Sequence, residues 1–193
     1  MHCEEESGVY FFTRGIKELL FRPFMPYLAE SGIKPETLSY LGVLVTLPFV
    51  YFFGYNPWIA LFFLLGQFVF DMLDGALARY LNKQSERGAF IDMVCDYLSF
   101  FIVFLTFCFY GMVDYFIGTV FLIVYMSLQA FVSFAVIKGI KLFPVIRAKL
   151  FVYLFFLIFL VSGYNFMNEF LIAITVYTLV TDFFIYRKII CSI

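Results

Sequence analysis

Charge is scarce in this sequence. Only 14% of its 193 residues are Asp, Glu, Lys or Arg, against about a quarter in an ordinary soluble domain. Apolar residues make up 64%, and phenylalanine alone fills 30 positions. A water-soluble fold of this length has nowhere to bury so much apolar surface, so a bilayer must solvate much of it. The net charge of −1 excludes a polyanionic partner such as nucleic acid. Cysteine is also sparse: Cys3, Cys95, Cys108 and Cys191 form no CxxC pair, which argues against a disulfide framework or a zinc site. They read as small apolar residues. The N-terminus opens with Glu4, Glu5 and Glu6, where a signal peptide would carry a basic stretch and then an apolar core. Internal repeats and low-complexity tracts are missing too, which excludes a solenoid.

What is present is a series of long apolar stretches at 38–53, 57–78, 89–112, 115–137, 146–163 and 169–187. Most approach the roughly 20 residues that cross a hydrocarbon core. The first is short and holds Pro48, which can kink or end it. Residues 10–28 mix aromatics with Arg14, Lys17 and Arg22. They suit a short amphipathic helix in the membrane interface or a simple connector. The expected fold is therefore all-α: a polytopic membrane protein with six transmembrane helices and a short N-terminal interfacial helix. It is read as one domain over 1–193, with a cytoplasmic or interfacial segment at 1–34 and a six-helix core at 35–188.

Basic residues orient this arrangement. With six spans, all 13 lysines and arginines fall before the first, between the second and third, between the fourth and fifth, or after the sixth. The opposite loops hold only Asp114 and Glu169. This asymmetry is the positive-inside pattern. It puts both termini and the loops 79–88 and 138–149 on the cytoplasmic side, in the inner membrane if the cell is prokaryotic.

Four of the six aspartates lie close together, in Asp71-Met-Leu-Asp74-Gly75-Ala-Leu-Ala78-Arg79 and Gly88-Ala-Phe-Ile-Asp92-Met-Val-Cys-Asp96. Spacings of three and four put each pair on one helix face. The short connection at 80–87 makes the two spans antiparallel, so four carboxylates can converge just inside the membrane on the cytoplasmic side. Such a set is costly without a counter-charge. Oxygen ligands select hard divalent ions, Mg²⁺ or Mn²⁺, and a pair of them suits phosphoryl transfer. A cation or proton transporter could use the same acids, though its site would lie nearer the midplane, at broken helices. Gly75 and Gly88 permit close approach of a ligand to the backbone, or simply pack two helices. Arg147 and Lys149 open the fifth span on the basic side. They could bind a phosphorylated acceptor, or serve as charges against lipid headgroups.

The pattern D-x2-D-G-x2-A-R-x8-G-x3-D-x3-D runs from Asp71 to Asp96. It resembles the signature of the CDP-alcohol phosphatidyltransferase family at all eight fixed positions and in every spacing. That resemblance implies transfer of a phospho-alcohol (phosphatidyl) group from a CDP-alcohol, such as CDP-diacylglycerol, to a hydroxyl acceptor, with release of CMP. It implies that Asp71, Asp74 and Asp92 bind two metal ions, with Asp96 near the second and acting as general base. Gly75 and Arg79 would contact the CDP moiety, and Ser85 the diphosphate. The family's Pro-Asn-x-x-Thr-like segment reads Pro35-Glu36-Thr37-Leu38-Ser39 here, with Glu36 in place of Asn. The acceptor is expected to be glycerol phosphate or inositol phosphate, with serine, ethanolamine or choline as alternatives. A homodimer is expected on the same ground.

Overall fold

The computed structural model describes residues 21–83, 85–140, 142, 145 and 148–192. A 3-10 turn at Arg22–Phe24 leads into α1 (Met25–Glu30). Then follow α2 (Pro35–Phe53), α3 (Pro57–Tyr80), α4 (Glu86–Phe109), α5 (Tyr115–Ile137), α6 (Ala148–Ser162) and α7 (Met167–Ser192). Each of the six apolar stretches thus forms a helix, and the described residues contain no strand. The all-helical membrane fold expected from the sequence is the one observed.

Five helices, α2 to α5 and α7, are long and apolar enough to cross a bilayer. Among the described residues, the stretch expected at 146–163 forms the 15-residue α6. Gly163, at φ 74°, follows its last residue in the left-handed conformation that closes helices. Pro48 does not end α2, which runs on through it to Phe53. Most of the proposed interfacial helix, residues 10–20, lies outside the described residues. Its remainder, including Arg22, forms the 3-10 turn and α1.

Local chemistry sets the helix ends. Pro35 and Pro57 stand in the first turns of α2 and α3, where a missing N–H costs nothing. The Asn56 side chain accepts from the Trp58 and Ile59 N–H groups at 3.1 and 3.4 Å. Asn82 takes φ 51° just past α3. The Lys83 N–H then reaches Ala78 O and the Asn82 N–H reaches Arg79 O, both at 3.0 Å. This is a Schellman cap with asparagine in the glycine position, and it starts the connection to α4.

The chain divides into two compact units, Met1–Val103 and Phe104–Ile193. In the first, α2 packs along α3. Gly42 lies against Phe70 and the Gln67 carbonyl, and Gly66 against Val45. Small residues let membrane helices approach closely, because lipid supplies no hydrophobic drive between them. Phe21 and Met25 anchor the N-terminal turn in a cluster with Leu38, Ala76 and Leu77. In the second unit, α5 packs on α7 through Leu128, Ala135, Ile185 and Ile189. Large apolar side chains such as Phe62, Ile123 and Val176 point outward, as a lipid-facing surface requires.

Candidate active site

The site lies within the first unit. Asp71 and Asp74 come from α3, Asp92 and Asp96 from α4. All four line one small recess together with Ser39, Gly42, Gln67, Cys95 and Ser99. Its empty volume, open mouth included, is about 180 Å³. That is below the 300–1,000 Å³ of pockets that engulf a drug-sized ligand. The two pairs, three and four residues apart, thus border one recess.

Asp74 is the buried member, 3% exposed. Its Oδ2 accepts from the Ser39 hydroxyl at 2.6 Å and its Oδ1 from the Gly75 N–H at 2.5 Å. Asp71, Asp92 and Asp96 are half-buried. Among the described residues no three acidic, His or Cys side chains are drawn into a common ion-ligating set. The four acids therefore ring the recess without converging on one point. The donor set still fits a hard divalent ion: it is nearly all oxygen, with the Cys95 thiol the one soft atom.

Around this ring the other expected residues take definite places. Gly75 is not held by tight packing. Among the described residues, a β-carbon there would meet only the Arg79 guanidinium, at 3.4 Å. Gly88 is tighter, since a β-carbon would lie 3.1 Å from Ser85 Oγ and 3.7 Å from Glu36 Oε1. Ser85 caps α4 by accepting from the Gly88 N–H at 3.0 Å. Pro35, Glu36 and Thr37 form the first turn of α2, which brings Glu36 to the start of α4. Lys149 belongs to the second unit, where it is buried with its ammonium 5.8 Å from the Tyr153 ring. Arg147 lies outside the described residues.

Sequence reasoning missed the uncharged lining. Gln67 precedes Asp71 by four residues, Cys95 follows Asp92 by three, and Ser99 follows Asp96 by three. The same face rule that grouped the acids would have found them. It also passed over Asp182 in α7, which is 7% exposed. Asp182 Oδ2 accepts from Ser127 Oγ, while its Oδ1 has no hydrogen-bond partner among the described residues. An acid inside an apolar span is the signal that could have flagged it.

The fold and the acid ring define a polytopic helical membrane protein with a carboxyl-lined recess bordered by three helices. The model of the CDP-alcohol phosphatidyltransferase family matches residues 33–184, and the chain belongs to that family. Among curated proteins, it is 43% identical over 74 residues to an archaetidylinositol phosphate synthase from Pyrococcus horikoshii. It is 36% identical over 94 residues to a phosphatidylinositol phosphate synthase from Streptomyces avermitilis. These matches cover 37% and 45% of this chain, but only 39% and 34% of the relatives' own length. Among solved structures, the fold resembles Mycobacterium tuberculosis phosphatidylinositol phosphate synthase in complex with manganese and citrate. The TM-score is 0.70 at 20% identity, over 86% of this chain and 87% of that one. The same enzyme with CDP-DAG bound gives a TM-score of 0.69 at 18% identity, over 86% and 91%.

Proposed function

We propose that this chain transfers the phospho-alcohol group of a CDP-alcohol to a hydroxyl acceptor and releases CMP. One observation carries the reading: the family's motif folds so that its four carboxylates open on a single recess. The family match favours this transferase over a transporter, and its span of 33–184 supports treating the chain as one functional domain. The donor is CDP-diacylglycerol and the acceptor an inositol phosphate. Both assignments draw on the names of the similar proteins. Glycerol phosphate is the next candidate acceptor.

Asp71, Asp74, Asp92 and Asp96 would hold two divalent ions, Mg²⁺ or Mn²⁺. The manganese of the similar structure supports that choice. When bound, such ions would supply positive charge to offset that of the diphosphate and of the departing CMP. Gly75 leaves space for the nucleotide to approach the helix backbone. Arg79, lying over Gly75, and Ser85 meet its phosphates, while the turn at Pro35, Glu36 and Thr37 borders the nucleotide. Asp96 accepts the proton of the acceptor hydroxyl. The hydroxyl oxygen attacks the phosphorus remote from cytidine, the bond from that phosphorus to the bridging oxygen breaks, and CMP leaves. Holding the reactants in line contributes much of the rate.

Arg147 and Lys149 bind the acceptor's phosphate. The asymmetry of basic residues supports a cytoplasmic active site and cytoplasmic termini, in the inner membrane if the cell is prokaryotic. The family resemblance supports a homodimer.

The test is CMP release by purified protein from CDP-diacylglycerol. It is run with inositol phosphate, glycerol phosphate, serine, ethanolamine or choline, in Mn²⁺, Mg²⁺ or EDTA. We expect metal-dependent release, fastest with inositol phosphate. No release with any acceptor would overturn the transferase reading. Full activity in EDTA would overturn the metal assignment.

A further inference from the structure

Ser39 is separated from Asp74 by 35 residues of sequence and by the turn between α2 and α3, yet the two side chains meet in the recess. The Ser39 hydroxyl has two acceptors in reach: Pro35 O at 3.4 Å and Asp74 Oδ2 at 2.6 Å. A serine hydroxyl has one hydrogen to donate. The shorter contact, to the Asp74 carboxyl oxygen, takes it, since the 3.4 Å contact to the carbonyl lies beyond the usual O–H···O range. The contact is buried: Ser39 is 6% exposed and Asp74 3%. The Gly75 N–H already holds the other carboxylate oxygen. Asp74 is thereby fixed at both oxygens, one bond coming from its own helix and one from a neighbouring helix. Each oxygen keeps a further lone pair for a ligand.

We propose that Ser39 is a positioning residue for Asp74, and that through it α2 sets the affinity of the recess for its divalent ion. This rests on the metal assignment proposed above. It gives Ser39 a role distinct from a nucleotide contact. A carboxylate free to rotate must lose that freedom when an ion binds, whereas one already held by two donors does not. Partners of this kind behind a metal ligand typically change metal affinity by about 10–100-fold when removed. Ser39 also lies one helical turn before Gly42, which lines the same recess and lets α2 approach α3 against Phe70. The hydroxyl therefore reaches Asp74 from a helix seated by close packing.

The experiment is direct Mn²⁺ titration of the detergent-purified full chain without substrate, reading free Mn²⁺ by its paramagnetic resonance signal. The expected result is a Kd raised about 10-fold or more by Ser39→Ala. Ser39→Thr, which keeps the hydroxyl, should stay within about threefold of native, a margin far below that effect. The KM for CDP-diacylglycerol at saturating metal should change little in either. Ser39→Cys, close to serine in size and a weak donor, is the second arm should the alanine variant not fold, and it should also lose affinity. An unchanged Kd in Ser39→Ala or Ser39→Cys overturns the proposal, and a raised KM alone would assign Ser39 to the nucleotide instead. Absence of Mn²⁺ binding by the native protein overturns the underlying metal assignment, an outcome distinct from either.

Discussion

The Arg79 guanidinium lies over Gly75, one helical turn before it, with a terminal nitrogen 3.4 Å from where a β-carbon would stand. That nitrogen is the flexible end of a long side chain, so an added methyl group is accommodated by a small shift. A larger side chain displaces the guanidinium and fills the open face of α3. We predict that Gly75→Ala keeps the native thermal stability to within about 1 kcal/mol, since alanine also favours helix. Gly75→Leu should fold but lose protection by CDP against heating in detergent. Equal protection of Gly75→Leu and native protein would show that Gly75 is a packing residue.

Ser85 has two separable roles. As the cap of α4 it accepts from the Gly88 N–H, and removing such a cap costs about 0.5–2 kcal/mol. Ser85→Ala should therefore lower the melting temperature. Ser85→Asp should restore it, because aspartate caps equally well. If Ser85 also meets the diphosphate, Ser85→Asp stays inactive at native stability, because it sets a carboxylate against phosphate. Full activity of Ser85→Asp would leave Ser85 only the capping role.

Asp96 stands at the recess one turn beyond Asp92, on the same face of α4. Asp96→Asn keeps the size and one oxygen but cannot take a proton. Turnover should fall about 10²–10⁴-fold while CDP-diacylglycerol still binds, because Asp71, Asp74, Gly75 and Arg79 remain. Affinity and turnover measured on one preparation decide this. A fall of less than about tenfold removes Asp96 as the base. Loss of binding along with turnover makes it chiefly a metal ligand.

Sidedness can be read with thiols. Asp114 is a poor probe site, because its Oδ1 caps α5 through the Phe116 and Ile117 N–H groups. Tyr164, exposed in the turn between α6 and α7, is a better one. In a background cleared of native cysteines, Gln84→Cys should react with a membrane-impermeant reagent only from the cytoplasmic face. Tyr164→Cys should react only from the other. The native Cys191, exposed near the end of α7, should behave like position 84. Labelling of positions 84 and 164 from the same side would overturn the assigned topology.

Glu36 has a place in the packing that the family pattern does not show. Set against the usual asparagine it looks like a loss in a nucleotide-binding turn. In the fold its carboxylate comes near Gly88 at the start of α4, so it belongs to the junction of α2 and α4. Its effect on the site passes through that junction as well as through any nucleotide contact.

The sequence by itself determined the membrane fold, the six apolar helices and the ring of four acids. The bilayer explains the first two: lipid offers backbone groups no partner, so a spanning segment must be a long apolar helix, and such helices are visible as runs. Helical periodicity explains the third, because residues three and four apart share a face whatever surrounds them. Tertiary structure alone decided that Ser39 holds Asp74, that Glu36 meets the start of α4, and that Ser127 meets Asp182 across 55 positions. It also showed that α6 ends at Gly163 in the left-handed conformation. These contacts depend on which helix faces meet, and at what height. That is set by the close packing of small residues such as Gly42 and Gly66 against neighbouring helices, a relation between distant segments that no local pattern encodes.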